Sequence, residues 1–107
     1  MKYFLLSLIL INTSVANAGI RAYLEQDDGN CSSSHMVFES SSGYILAEWY
    51  GGYLNSGNFF YANFHSFGYQ DVYSNEKDSE NEENSVGRIW IDNYMVSSSK
   101  AKQWCNE

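Results

Sequence analysis

At 107 residues the chain has room for one small domain. Six Lys and Arg against thirteen Asp and Glu give a formal net charge of −7. That balance argues against nucleic acid as a partner, because such binding depends on cations that displace counterions from phosphates, and it disfavours anionic membrane surfaces for the same reason.

The N-terminus sets the compartment. Lys2 precedes an apolar stretch over residues 4–11, relieved only by Ser7, and Ala16-Asn17-Ala18 supplies the small-x-small pattern of a signal-peptidase site. Residues 1–18 therefore read as a cleaved secretory signal, with Gly19 as the new N-terminus and a periplasmic or secreted product. The apolar run is shorter than the roughly 20 residues that span a bilayer, so no membrane insertion is expected once the signal is removed. Residues 19–107 form the single mature domain. Without Lys2, five cations face thirteen acids, a net charge of −8.

A domain this small buries only about 60% of the surface its unfolded chain exposes, so a covalent link has much to add. Cys31 and Cys105 are the only cysteines, and both lie beyond the signal. An oxidising compartment predicts that they form a disulfide. Closing a loop of about 75 residues stabilises by roughly 4.5 kcal/mol in the chain-entropy account.

Residues 20–25 read as a first strand, ended by the turn signal Asp27-Asp28-Gly29-Asn30. Residues 35–39 read as a second, and Ser40-Ser41-Ser42-Gly43 turns the chain into residues 44–50. There Ile45, Ala47 and Trp49 share one face by period two, and Tyr44, Leu46, Glu48 and Tyr50 share the other. Both faces are largely apolar or aromatic, which predicts a central strand. Gly51-Gly52 is expected to break it, and Asn55-Ser56-Gly57-Asn58 marks another turn. Residues 59–64 are rich in aromatic strand formers. Gly68 then separates residues 69–73, with Tyr69, Asp71 and Tyr73 on one face. Residues 75–84 carry Glu76, Asp78, Glu80, Glu82 and Glu83 against Lys77 and hold no apolar residue, which predicts a solvated loop. Residues 86–92 make a sixth strand with Ile89 and Ile91 inward. Ser97, Ser98 and Ser99 offer N-cap hydroxyls to a helix over residues 100–105. Ala101, Trp104 and Cys105 share its face, so the helix is expected to lay Trp104 on the sheet and hold Cys105 against Cys31. The fold class is all-β with one short C-terminal helix: a small antiparallel β-barrel or sandwich of about six strands. A barrel is preferred because closure removes exposed edges.

Catalytic and metal signals are weak. His35 and His65 lie in no Cys/His cluster, and Asp27-Asp28-Gly29-Asn30 lacks the distal glutamate of a calcium loop. No metal or cofactor is expected. A hydrolase would need a pocket joining His65 to Asp71 or Glu48, and no G-x-S-x-G elbow is present. A glycosidase would need two carboxylates about 5–10 Å apart, for which Glu39, Glu48, Asp71 and Asp92 are strand candidates that sequence alone does not pair.

Aromatic residues are the stronger signal. Eleven of them crowd into residues 44–73. Alternation sends about half inward as core. The outward remainder suits an interface, because Tyr and Trp give large contact area at low entropic cost. Tyr44, Trp49, Tyr50, Tyr53, Tyr61, Tyr69 and Tyr73 are the candidate binding residues, with the glycine-flanked 51–57 loop presenting Tyr53 at a rim.

In its broad plan of signal, disulfide and compact barrel the chain resembles small exported lysozyme inhibitors. Their serine-glycine-x-x-tyrosine signature is not reproduced, since Tyr44 follows Ser42-Gly43 directly, and no residue role carries over. The leading expectation is a non-enzymatic acidic binding protein, in its sharpest form an inhibitor or immunity protein for a basic enzyme. The alternatives are a glycan or small-ligand module that stacks on Trp49, Tyr50 and Tyr53, and a small hydrolase.

Overall fold

The computed structural model describes residues 19–25, 31 and 34–107. The expected signal at residues 1–18 and the expected turn at residues 27–30 lie outside the described residues. Among these residues six antiparallel strands, β1 (Ile20–Leu24), β2 (His35–Ser40), β3 (Gly43–Gly52), β4 (Phe59–Ala62), β5 (Gly68–Val72) and β6 (Gly87–Val96), precede the helix α1 (Ser98–Cys105). They form one sheet in the order β4-β1-β2-β3-β6-β5. The sheet curls until its margins meet at a single residue pair, where Tyr61 and Tyr73 exchange both backbone hydrogen bonds at 2.8 Å.

β3 is central, as its two apolar faces require. It pairs with β2 along His35↔Glu48 to Ser40↔Gly43 and with β6 on its other side. The β2–β3 turn is tight: the Ser40 hydroxyl accepts from the Ser42 N–H at 3.2 Å and donates to the Gly43 carbonyl at 3.1 Å. Gly51-Gly52 does not break β3. Both glycines stay paired, with Arg88 and Gly87. Gly52 has φ +78°, and a Cβ there would collide with the Val86 carbonyl oxygen, so the missing side chain admits a strand instead of ending one.

The concave side is the core. Phe38, Ile45, Ala47, Phe64, Val72, Ile89 and Ile91 are all fully or nearly fully buried there. Full burial of such a side chain contributes about 1.5–3 kcal/mol each. Phe38 packs against Phe64 at 4.9 Å between centroids and meets Phe60 edge-on at 6.5 Å. β4 stops at Ala62, and Phe64 turns in beyond its end to plug the barrel.

A second, smaller core lies on the convex side. α1 begins two residues earlier than its pattern predicts, capped by the Ser97 hydroxyl, which accepts from the Lys100 N–H at 3.3 Å. It seals Val37 of β2 and Leu46 of β3 beneath Ala101, with Tyr44, Val96, Trp104 and Cys105 around them. The Trp104 indole donates to the Ala47 carbonyl at 3.2 Å. The His35 ring stacks on Trp104 at 3.9 Å, and its Nδ1 sits 2.9 Å from the Trp104 carbonyl oxygen. Cys31 and Cys105 form the disulfide, their Cα atoms 4.3 Å apart.

Residues 75–84 are solvated but ordered into two 3-10 turns, Lys77–Glu80 and Glu82–Asn84, neither with a buried residue. Asn75 and Asn81 supply the local structure, each side-chain oxygen accepting a backbone N–H, from Asp78 at 2.9 Å and Glu83 at 3.0 Å.

Candidate functional site

Where α1 does not reach, no other described element covers the convex face of β3, β6 and β5. Strand alternation sends Arg88, Trp90 and Asp92 outward from β6 while Gly87, Ile89 and Ile91 point in. Pairing places Trp90 between Glu48 of β3 and Tyr69 of β5, and sets Arg88 beside Asp71. On β3 the register slips: Trp49 faces Ile89 but Gly51 faces Arg88, which leaves Tyr50 as the extra residue of a β-bulge. Bulges re-aim side chains, and this one brings Tyr50 over the same face.

The result is a row of rings in solvent. Tyr50 and Tyr69 meet at 4.7 Å between centroids, inclined by 76°, and Tyr69 and Trp90 meet at 4.7 Å, inclined by 82°. Tyr50 is 55% exposed, Tyr69 45% and Trp90 37%. Arg88 places its guanidinium 5.1 Å from the Tyr69 ring centre, and its Nε lies 3.6 Å from an Asp71 carboxylate oxygen. The Tyr69 hydroxyl donates to Tyr50, which pushes the Tyr69 phenol above its ordinary 10.0; partial desolvation and the Tyr50 charge add to this, and Arg88 opposes it. Edge-to-face ring pairs contribute about 0.5–1.5 kcal/mol each beyond their burial, so the row holds its shape without a covering element.

The other sequence-predicted residues fall elsewhere. Trp49 and Tyr53 are exposed at the C-terminal end of β3, where the Trp49 indole donates to the Gly52 carbonyl at 3.1 Å. Trp49 thus departs from the buried face it shares in register with Ile45 and Ala47, because the bulge bends β3 near that end. Tyr44 is half-buried beside the helix, and its phenol is raised by the charge of Glu39, then by burial and by Glu25. Tyr61 is half-buried on β4. Tyr73 is only 5% exposed: the strand ends at Val72, and the bridge to Tyr61 draws Tyr73 into the interior instead of outward with Tyr69. Burial, then Asp71 and Glu82, raise its phenol.

Trp90, the ring that joins β3 to β5 across this face, escaped the sequence reading. Its signal was there: Ile89 and Ile91 inward put Trp90 outward. The carboxylate pairing that sequence left open goes to Glu39 and Glu25, which hydrogen-bond to each other; burial, that bond and the Glu39 charge raise Glu25 above 4.5. His65 stacks against Tyr94 at 5.6 Å, and its Nε2 is buried with no hydrogen-bond partner among the described residues. No hydrogen bond or ion pair joins His65 to Asp71 or Glu48 among them. Nor do three His, Cys, Asp or Glu side chains come together there to hold a metal ion. A cleft of about 460 Å³ runs under α1, lined among the described residues by Glu25, Cys31, His35, Tyr44 and Lys102. No family model, curated protein or solved structure matches the chain.

Proposed function

We propose that the protein is a small exported acidic binding protein that docks a basic protein, in its sharpest form an inhibitor or immunity protein for a basic enzyme. The observation that carries this reading is the exposed row Tyr50–Tyr69–Trp90 with Arg88 beside it. Trp, Tyr and Arg are the residues in which binding hot spots are richest. The net charge of −8 after signal removal supports a basic partner by steering the encounter. The disulfide supports an oxidising compartment, and N-terminal sequencing of the native product is expected to begin at Gly19.

The test is capture at low salt with the wild type and with a Tyr50→Ala/Trp90→Ala variant. A basic protein retained by the first and lost by the second is the expected result, and its retention should weaken as salt rises, since charges are screened over about 10 Å at 0.1 M. Equal retention by both chains refutes the reading.

A second reading has its own support at the C-terminal end of β3. Trp49, held by its bond to Gly52, and Tyr53 offer exposed rings on a glycine-flanked rim, the arrangement on which a glycan or small ligand stacks. Tryptophan fluorescence titrated with cell-wall sugars tests it, and a flat titration with every sugar removes it.

A further inference from the structure

The open face is more acidic than its aromatic row suggests. Glu48, Asp71 and Asp92 all border the rings, and Arg88 is the one cation among them. That cation is already engaged by Asp71 and by the Tyr69 ring. Glu48 and Asp92 make no side-chain hydrogen bond or ion pair among the described residues. They leave negative charge on two sides of Trp90.

We propose that this face receives the side chain of an arginine or lysine from the basic partner, its charge seated on the Trp90 ring between Glu48 and Asp92. The inference rests on the protein-binding reading and specifies what the partner must bring. A ring face attracts a cation through its quadrupole, most strongly for tryptophan, and nearby carboxylates add Coulomb attraction that bulk water screens less at a partly covered site. The fold already makes this contact twice with its own chain: Arg88 over Tyr69 at 5.1 Å, and Arg21 over Phe59 at 3.7 Å. The ring geometry argues in the same direction. A sugar stacks on broad coplanar surface, whereas successive rings here are inclined by 76° and 82°, which leaves separate ring faces of the size that a single guanidinium or ammonium covers. The acidic segment 75–84 has charge without rings, so it attracts cations but does not seat them.

The test uses the folded, disulfide-bonded protein and two hexapeptides, hexa-arginine and its uncharged isostere hexa-citrulline, followed by NMR of backbone amides and tryptophan indoles. Saturable displacement of the Trp90 indole by hexa-arginine alone is expected, with affinity reduced about tenfold in a Glu48→Gln/Asp92→Asn variant. Displacement confined to residues 76–83, equal displacement by hexa-citrulline, or no displacement at all overturns the proposal. Its failure is separable from failure of the parent reading. A partner lost on Trp90→Ala but indifferent to Glu48→Gln/Asp92→Asn keeps the docking face and removes the cation seat. A partner indifferent to Trp90→Ala removes both.

Discussion

The convex side of this sheet has two halves built on the same strand. Leu46 and Tyr50 lie four residues apart on β3, yet Leu46 is 5% exposed and Tyr50 is 55% exposed. Over the first half the chain lays α1, pins it with Trp104 and locks it with Cys31–Cys105. Over the second no described element lies, and the surface is filled with rings that meet edge to face. The contrast teaches that outward direction alone does not mark a binding residue. What separates Tyr44, half-buried beside the helix, from Tyr50 is whether a later segment returns to cover it.

Substitutions should divide along that line. Cys105→Ser has the largest expected effect on stability, a loss of about 2–5 kcal/mol in urea melts, with partner affinity preserved wherever the variant remains folded. A loss well under 1 kcal/mol would mean that the helix holds its place without the link. Trp104→Ala removes the His35 stack, the bond to Ala47 and half-buried ring area. Its expected cost is about 2 kcal/mol, below the range for a fully buried tryptophan, again without effect on binding. Trp90→Ala inverts the pattern: under about 1 kcal/mol in stability, but roughly 30-fold or more in affinity if it is a hot spot. A Trp90→Ala chain that melts as early as Trp104→Ala would erase the distinction between the halves.

The smallest expected effect tests the acidic rim beside the roofed half. Glu25 holds its proton more tightly in the folded state, from burial first and then from the Glu39 bond and charge. A raised acid contributes stability that is full below its unfolded value near 4.5 and lost as pH rises through the folded value. Glu25→Gln should therefore gain slightly over wild type at neutral pH, with the gain vanishing as pH falls past that window. A pH-independent difference between the two would locate its cause elsewhere.

Much of this architecture was legible in the residues. Period two in residues 44–50 placed β3 at the centre, the spacing of Ala101, Trp104 and Cys105 named the packed face of α1, and two cysteines allowed one intramolecular pairing. What escaped was non-local. Nothing in Trp49-Tyr50-Gly51 announces the bulge, which exists only because β6 supplies one residue opposite two. Tyr73 shares a parity with Tyr69, but a contact twelve residues back along the chain decides its burial. Trp90 was readable as outward by alternation, but nothing in residues 86–92 shows that β5 sets Tyr69 beside it. Glu25 and Glu39 meet only once β1 lies beside β2, with Tyr23 opposite Glu39 and Leu24 opposite Phe38.

The order of events along the chain gives the disulfide a particular part in biogenesis. Cys31 emerges 74 residues before Cys105, and all six strands lie before that second thiol. The barrel interior also shares no residue with the pocket of side chains beneath the helix. The link therefore joins the β1–β2 connection to the end of α1 without entering the barrel interior. With two thiols in the whole chain, there is no mispaired isomer within one molecule for a shuffling enzyme to correct.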